Sequence, residues 1–555
     1  MNKKVCSFPI LFALLALLIG TCAVVFPASA QAAPTSTGSI TVSGTVASSY
    51  DAYQIFSANV VDGDSDAKIA TDLAWASDAV RDAGQPVLHN AGMPNSQTTA
   101  QEAAECLNTD SHLTSALSAQ LARSLQSSGA VFVALNAGTT AELPCGYWLI
   151  VADDDAIAQG EAGTAPIMAL VGGSAVTVKP KAATPKVAKH VLEDGTAAWQ
   201  KAADATVADD LYWRLSATVP AGLAAYDTYT VRFVDTMSAG LDPSKVAASM
   251  RVYVAAGADG GFDAVPTGKD GRTGTEPAKG WTDITAQCAT KVAADGTFTV
   301  RTGDLIAALG GADAFTAGAR VVAVYNAPLN SACSHGIAKG NSNEVYLRYP
   351  RSPFADQSGD AGFTRTPSDD ACAYTWDLAL TKRGSDGDKP LAGAVLSIAD
   401  DRGRTLAADG TWDAEGKATV TTGEDGRVTV SGVDSGKLEV RELKAPKGYT
   451  AFKGTRSVTV KAEGLDVDQV AAAKPKLTIT AESPLRADSA DGSTGSLEAS
   501  LINTPTGTPP SITTGGFMPS TGDMAMYAAS AAAAAGAALI VVALLVKRGG
   551  GSHKE

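Results

Sequence analysis

Short runs in which apolar and polar residues alternate, each closed by Gly, Asp or Pro, recur along this chain and constrain its fold more than any other feature. Residues 39–46, 229–235 and 438–443 are examples. In an extended strand successive side chains point to opposite faces, so a period of two marks a strand with one buried face. Many such runs separated by turn residues predict an all-β protein of tandem immunoglobulin-like β-sandwiches. The length, 555 residues, leaves room for three or four domains. One interruption is predicted: residues 98–107 and 113–125, dominated by Ala, Leu and Gln, read as helix. The net charge of −14 argues against nucleic acid or anionic lipid as a partner.

The two ends are of another kind. Lys3 and Lys4, the apolar stretch 8–26 and Ala28-Ser29-Ala30 read as a secretory signal peptide over residues 1–30. Lipidation at Cys22 fits poorly, because Thr21 precedes it and the apolar run continues beyond it. Near the other end, residues 524–546 form an apolar run long enough to span a bilayer. Lys547 and Arg548 follow and would hold the tail in the cytoplasm. Export places the cysteines in an oxidising compartment. Five follow the signal, so at least one is unpaired. Cys106 and Cys145 are the best candidates for a disulfide, while Cys333 could join Cys288 or Cys372. No CxxC spacing occurs, so no zinc site is expected. Asp62, Asp64 and Asp66 alternate like the start of a calcium loop, but the sixth-position Gly and twelfth-position Glu are missing. They read as a solvated acidic turn, and no metal or cofactor is expected.

Between the ends, the expected division is an N-terminal domain over 31–180, a middle domain over 181–350, a linker over 351–372, a third domain over 373–505 and a stalk over 506–517. Three strand faces of the middle domain each carry a misfit. Lys189 lies in phase with Val187 and Val191, Asp235 with Val231 and Phe233, and Asn343 with Val345 and Leu347. Asn341 is the runner-up to Asn343. Burial disfavours the charged form of each ionisable group, leaving a neutral nucleophilic amine and a protonated acid. An amine, an acid and an amide held together in a core suggest an intramolecular Lys–Asn isopeptide bond, with Asp235 assisting. The rival arrangement is a buried Lys189–Asp235 salt bridge.

Several motifs carry a resemblance to a known family. Met518-Pro519-Ser520-Thr521-Gly522, followed by the apolar span and basic pair, resembles the cell-wall sorting signal read by sortases, with Met518 where Leu is usual. The resemblance implies cleavage between Thr521 and Gly522. Val176-Thr177-Val178-Lys179-Pro180-Lys181 resembles a pilin motif and implies Lys181 as the amine that takes the Thr521 carboxyl, with Lys179 a rival. Residues 438–449, Leu-Glu-Val-Arg-Glu-Leu-Lys-Ala-Pro-Lys-Gly-Tyr, resemble the E-box of collagen-adhesin B-type domains and imply Glu442 as an assisting acid. Lys382 lies in phase with Leu380, and Asn503 with Leu501, so the same bond is implied there. The whole chain resembles the sortase-polymerised backbone pilins of Gram-positive bacteria. That implies a wall-anchored pilus shaft subunit whose partners are pilin-specific and housekeeping sortases, its own copies, tip and base pilins, peptidoglycan and host surface ligands. A monomeric wall-anchored adhesin is the alternative. An enzyme with turnover is not expected, because His89, His112, His190, His335 and His553 are scattered and lack a nucleophile–base–acid motif.

Overall fold

The computed structural model describes residues 36–64, 67–108, 114–180, 184–257, 280–315 and 318–507. The signal peptide, Asp66, Lys181, the sorting pentapeptide and the apolar run 524–546 lie outside the described residues. Among those described, no helix is long and apolar enough to cross a membrane. The chain is mainly strands arranged in several sheets.

The N-terminal strands are β1 (Thr37–Val42), β2 (Ser49–Asp62), β3 (Lys68–Trp75), β4 (Val133–Asn136), β5 (Thr140–Pro144), β6 (Gly146–Ala152), β7 (Ile167–Val171) and β8 (Val176–Val178). One sheet has the order β5-β1-β8; the other has β3-β2-β6-β7, with β4 also on β2. Three helices lie between β3 and β4: α1 (Asp78–Asn90), α2 (Ala100–Asn108) and α3 (Ser115–Ser128). The last two fall where composition placed helix. The first was not anticipated, because its buried face is largely small, with Val80, Ala83, Gly84 and Leu88, and Pro86 lies inside it. Its start is fixed locally, the Ser77 side chain accepting a hydrogen bond from the Val80 N–H. Leu88, Leu121 and Leu125 of α1 and α3 pack with Tyr53, Ile55, Phe56, Leu149 and Val151 of β2 and β6.

The expected Cys106–Cys145 disulfide is not formed, and none of the five cysteines in the described residues is in a disulfide. Cys106, on α2, packs against the cluster beneath the helices. Cys145 is buried in a separate cluster with Ala58, Val60, Ala70 and Leu170. Neither Cys288 nor Cys372 bridges Cys333. Asp62 of the acidic turn accepts hydrogen bonds from the backbone and hydroxyl of Ser174, which satisfies it within the protein.

Next come β9 (Val187–Glu193), β10 (Ala198–Gln200), β11 (Ala202–Asp204), β12 (Tyr212–Val219), β13 (Arg232–Met237), β14 (Arg251–Ala256), β15 (Thr282–Asp283), β16 (Ala289–Val292), β17 (Thr297–Arg301), β18 (Ala319–Asn326), β19 (Asn341–Pro350), β20 (Phe363–Arg365) and β21 (Asp369–Tyr374). The sheet β10-β9-β12-β18-β14-β15 and the sheet β11-β21-β19-β13-β17-β16 share one core containing Trp213, Leu215, Phe233, Phe298, Tyr325, Val345 and Leu347. The stretch 351–372, expected as a linker, instead contains β20 and most of β21, both paired to β19. The buried residues Ala371 and Ala373 are too small to give β21 a visible apolar rhythm.

The C-terminal strands are β22 (Trp376–Gly384), β23 (Val395–Ala399), β24 (Thr405–Leu406), β25 (Trp412–Asp413), β26 (Val420–Thr421), β27 (Arg427–Val433), β28 (Gly436–Lys444), β29 (Tyr449–Thr450), β30 (Thr455–Glu463), β31 (Lys476–Ala481), β32 (Leu485–Asp491) and β33 (Ser496–Pro505). They form β27-β22-β33-β29, with β32 on β33, and β25-β24-β23-β28-β30-β31, with β26 on β23. The first strand, β22, runs parallel to the last, β33, with Lys382 opposite Leu501 and Gly384 opposite Asn503. Parallel neighbours cannot be joined by a tight turn, so this pairing closes the whole unit.

The middle and C-terminal sheets are clamped together. The buried Asp204 carboxylate accepts from the Trp376 indole at 2.6 Å and from the Ser435 backbone N–H at 3.0 Å. Gly432 has a φ of +68°, and a Cβ there would meet the Val207 side chain at 2.3 Å, so only glycine allows this close approach.

Candidate functional site

The middle sheets bring one side chain from each of four strands to a single point. Lys189 of β9 comes from one sheet; Asp235 of β13 and Asn343 of β19 come from the other. All three are 0% exposed. The Lys189 amine bonds the Asp235 carboxylate. It also lies 3.0 Å from the Tyr325 hydroxyl, which in turn lies 3.1 Å from Asp235 and accepts from the Asn343 amide at 2.8 Å. Tyr325, on β18, is thus one hydroxyl shared by amine, acid and amide. The Lys189 amine also sits over the rings of Trp213 and Tyr325, at 5.7 and 5.5 Å from their centroids.

Electrostatics follow from burial. Desolvation pulls the Lys189 amine down to about 8, against the opposing pull of Asp235. Desolvation pushes Asp235 up to about 6, opposed by Lys189. Desolvation also drives the Tyr325 hydroxyl well above its ordinary value, so it stays protonated. The second carboxylate oxygen of Asp235 and the carbonyl oxygen of Asn343 are buried with no hydrogen-bond partner. Turning the Asn343 amide would bring its carbonyl oxygen to the Tyr325 hydroxyl, 2.8 Å from the present amide nitrogen. The Lys189 backbone is itself held: its N–H donates to Asp369 at 2.6 Å, and Lys201 donates to its carbonyl at 2.8 Å. Asn341, the runner-up, is elsewhere. Its amide bridges the backbone of Ser334 and Ala373, a structural tie within β19 and its neighbours.

The C-terminal sheets build a second such point. Lys382 and Asn503 project from the paired strands β22 and β33, while Glu442 reaches them from β28 of the facing sheet. The Lys382 amine lies 3.6 Å from Glu442 and donates to the Leu501 carbonyl at 3.1 Å. The Asn503 amide donates to both Glu442 oxygens, at 2.8 and 3.1 Å. Glu442 also accepts from the Phe452 N–H at 3.0 Å, which fixes its direction. Burial pulls the Lys382 amine down to about 8. The Asn503 carbonyl oxygen, like that of Asn343, is buried and unpartnered.

Sequence phase thus placed Lys189, Asp235, Asn343, Lys382 and Asn503 on buried faces, the E-box resemblance pointed to Glu442, and the fold brings each trio together. It did not single out Tyr325, whose strand is buried on both sides and so has no alternation to betray a polar tip. Lys179 is described, just after β8, but Lys181 and Thr521 are not.

Residues 377–474 match the family described as SpaA, prealbumin-like fold domain. The matched region holds Lys382 and Glu442, while Asn503 follows it. A trypsin-resistant surface T6 protein of Streptococcus pyogenes serotype M6 is 29% identical over 143 residues. That match spans 24% of this chain and 24% of the relative. The T6 backbone pilin of the same serotype aligns in structure over 85% of this chain and 98% of its own, at 17% identity and a TM-score of 0.45. The full-length major pilin SpaD of Corynebacterium diphtheriae aligns over 87% and 100%, at 14% identity and a TM-score of 0.42.

Proposed function

We propose that this chain is the structural shaft subunit of a covalent surface pilus, welded internally by two self-formed isopeptide bonds. The observation that carries the proposal is the pair of buried amine–acid–amide trios, Lys189–Asp235–Asn343 and Lys382–Glu442–Asn503, each joining an early strand to a late one. In each trio the neutral amine attacks the Asn Cγ while the acid beside it, Asp235 or Glu442, passes a proton to the amide oxygen. Collapse of the tetrahedral intermediate expels the amide nitrogen. That nitrogen takes up the proton lost by the amine and leaves as ammonia, and the acid regains its own proton. The fold supplies the proximity, worth up to about 7–11 kcal/mol of barrier. The reaction happens once, on the protein itself, and involves no turnover.

In this reading sortase cleaves after Thr521 and joins its carboxyl to Lys181 of another copy, and a final transfer fixes the polymer to peptidoglycan. Tip and base pilins and host ligands are the remaining partners, and the assembly stands on the cell surface with a membrane-held precursor. Tension then enters at Lys181 and leaves at Thr521, crossing both welded units and bypassing the N-terminal sheets. The test is a denaturing gel of wall extracts. Ladders are expected from the native protein and from Lys179→Ala, and their loss from Lys181→Ala. Ladders that persist in Lys181→Ala refute linkage through Lys181.

A further inference from the structure

One row of side chains in the middle unit runs against the charge of the whole chain. Arg301 of β17 stands directly opposite Arg232 of β13, Arg232 opposite Arg348 of β19, and Arg348 opposite Arg365 of β20. Their neighbours Val300, Phe233 and Leu347 enter the core, so the row lies on the outer face of the sheet. Guanidinium groups thus cross four adjacent strands at intervals of about 4.8 Å. Like charges directly opposite on paired strands are destabilising, and the chain around them has a net charge of −14. Asp360 meets the row from a loop, pairing with Arg232 and, at 2.8 Å, with Arg348. Arg301 donates to the Gln357 carbonyl at 2.8 Å. Arg365 has no ion-pair partner among the described residues; its guanidinium is held over the Tyr346 ring, 5.1 Å from the centroid.

The Arg365 end of the row opens into a cleft of about 420 Å³ where the N-terminal strands meet the middle sheets. Arg348, Arg351 and Arg365 line it together with Gln159, Tyr346 and Phe363, and among the described residues no acid stands in its wall. Arg351 donates to the Asp154 carbonyl at 3.2 Å, and the fully exposed Asp155 lies 3.9 Å away. The wall from the N-terminal side is fixed at Gly160, whose N–H donates to the Thr364 hydroxyl at 2.9 Å and whose carbonyl accepts from the Tyr349 hydroxyl at 2.7 Å. A cleft lined by one sign of charge concentrates its field on a ligand of the other. We infer that this cleft binds a saccharide bearing a carboxylate or sulfate group. Guanidinium forks match the oxygens of such groups two at a time, and the Gln159 amide and Tyr346 hydroxyl supply partners for sugar hydroxyls. The volume falls in the range of small-molecule sites and exceeds what a bare oxyanion fills, while walls that are mostly polar suit a hydroxylated ligand better than an apolar one. The cleft needs neither the cross-links nor the polymer, so its failure would leave those readings untouched.

The test is isothermal titration calorimetry of the mature chain with glucuronic acid and with sulfated galactose, the two sources of the anionic group, and with plain galactose, sodium sulfate and tetraglutamate as references. A ligand of this size at ordinary efficiency has a Kd of about 1 mM. At least one acidic sugar should bind in that range and more weakly as salt is added, while plain galactose should not bind. Arg365→Ala removes an exposed side chain that holds no ion pair, so the fold should persist and the acidic sugar should bind about tenfold more weakly or worse. Arg402→Ala, an exposed arginine paired with Asp194 and Asp209 far along the chain from the cleft, should leave binding unchanged. The inference is overturned if neither acidic sugar binds, if Arg365→Ala binds like the native chain, or if Arg402→Ala weakens binding equally. Sulfate alone binding as tightly as the sugars, or tetraglutamate binding where the sugars do not, overturns it as well.

Discussion

Replacing Glu442 by Ala should leave Lys382 and Asn503 unjoined and weaken the C-terminal unit by an amount the structure lets one work out. Glu442 is the acid that accepts from the Asn503 amide and lies 3.6 Å from the Lys382 amine, so without it no acid stands beside the two reacting groups. The variant should retain one ammonia more than the native chain. The lost bond would have closed a 121-residue loop, from Lys382 to Asn503, in the unfolded chain. The chain-entropy relation for cross-links gives about 5 kcal/mol for a loop of that size. For a unit of this length that corresponds to a fall of about 15–25 °C in Tm. The substitution also strips the Phe452 N–H and the Asn503 amide of their partner, adding about 1–3 kcal/mol for each buried group left unsatisfied. Intact-mass spectrometry of the mature chain reads the first effect and differential scanning calorimetry the second. A Glu442→Ala chain with the native mass would refute the catalytic role of the acid. A chain that keeps the extra ammonia yet melts its C-terminal unit within about 5 °C of the native protein would refute the loop-closure argument.

Three further outcomes are expected. Tyr325→Phe removes the hydroxyl that Lys189, Asp235 and Asn343 share, and should slow the middle condensation about 10²-fold or more, read by mass against time after refolding. The same time course should depend on pH as a bell. With the amine near 8 and the acid near 6, the pair holds one proton fewer than its maximum between these values, and the doubly neutral fraction is then constant. Below about 6 the amine stays charged as the acid fills, above about 8 the acid stays charged as the amine empties, and the rate falls on both sides; a rate that rises steadily through pH 9 would contradict this. Finally, Asn343→Ala should abolish one ammonia loss while Asn341→Ala leaves both, because only Asn343 reaches the shared hydroxyl.

Much of the site could be read from one-dimensional phase. A Lys, an Asp or an Asn recurring at the spacing of Val, Phe and Leu must share their buried face if the segment is a strand, whatever the rest of the chain does. That is why Lys189, Asp235, Asn343, Lys382 and Asn503 could be singled out before any contact was known. Phase is silent about which strand stands opposite which. Tyr325 lies on a strand buried on both sides, and its position between amine and amide is set by the stacking of two sheets, not by its neighbours in sequence. The small-residue strand β21 passed for linker, the small-faced α1 passed unnoticed, and Cys106 and Cys145 looked like partners because sequence proximity says nothing about which cluster a side chain enters. The alternation determined which side chains would be shut away from water. Only packing across sheets, where side chains from distant strands compete for the same volume, decided which of them meet.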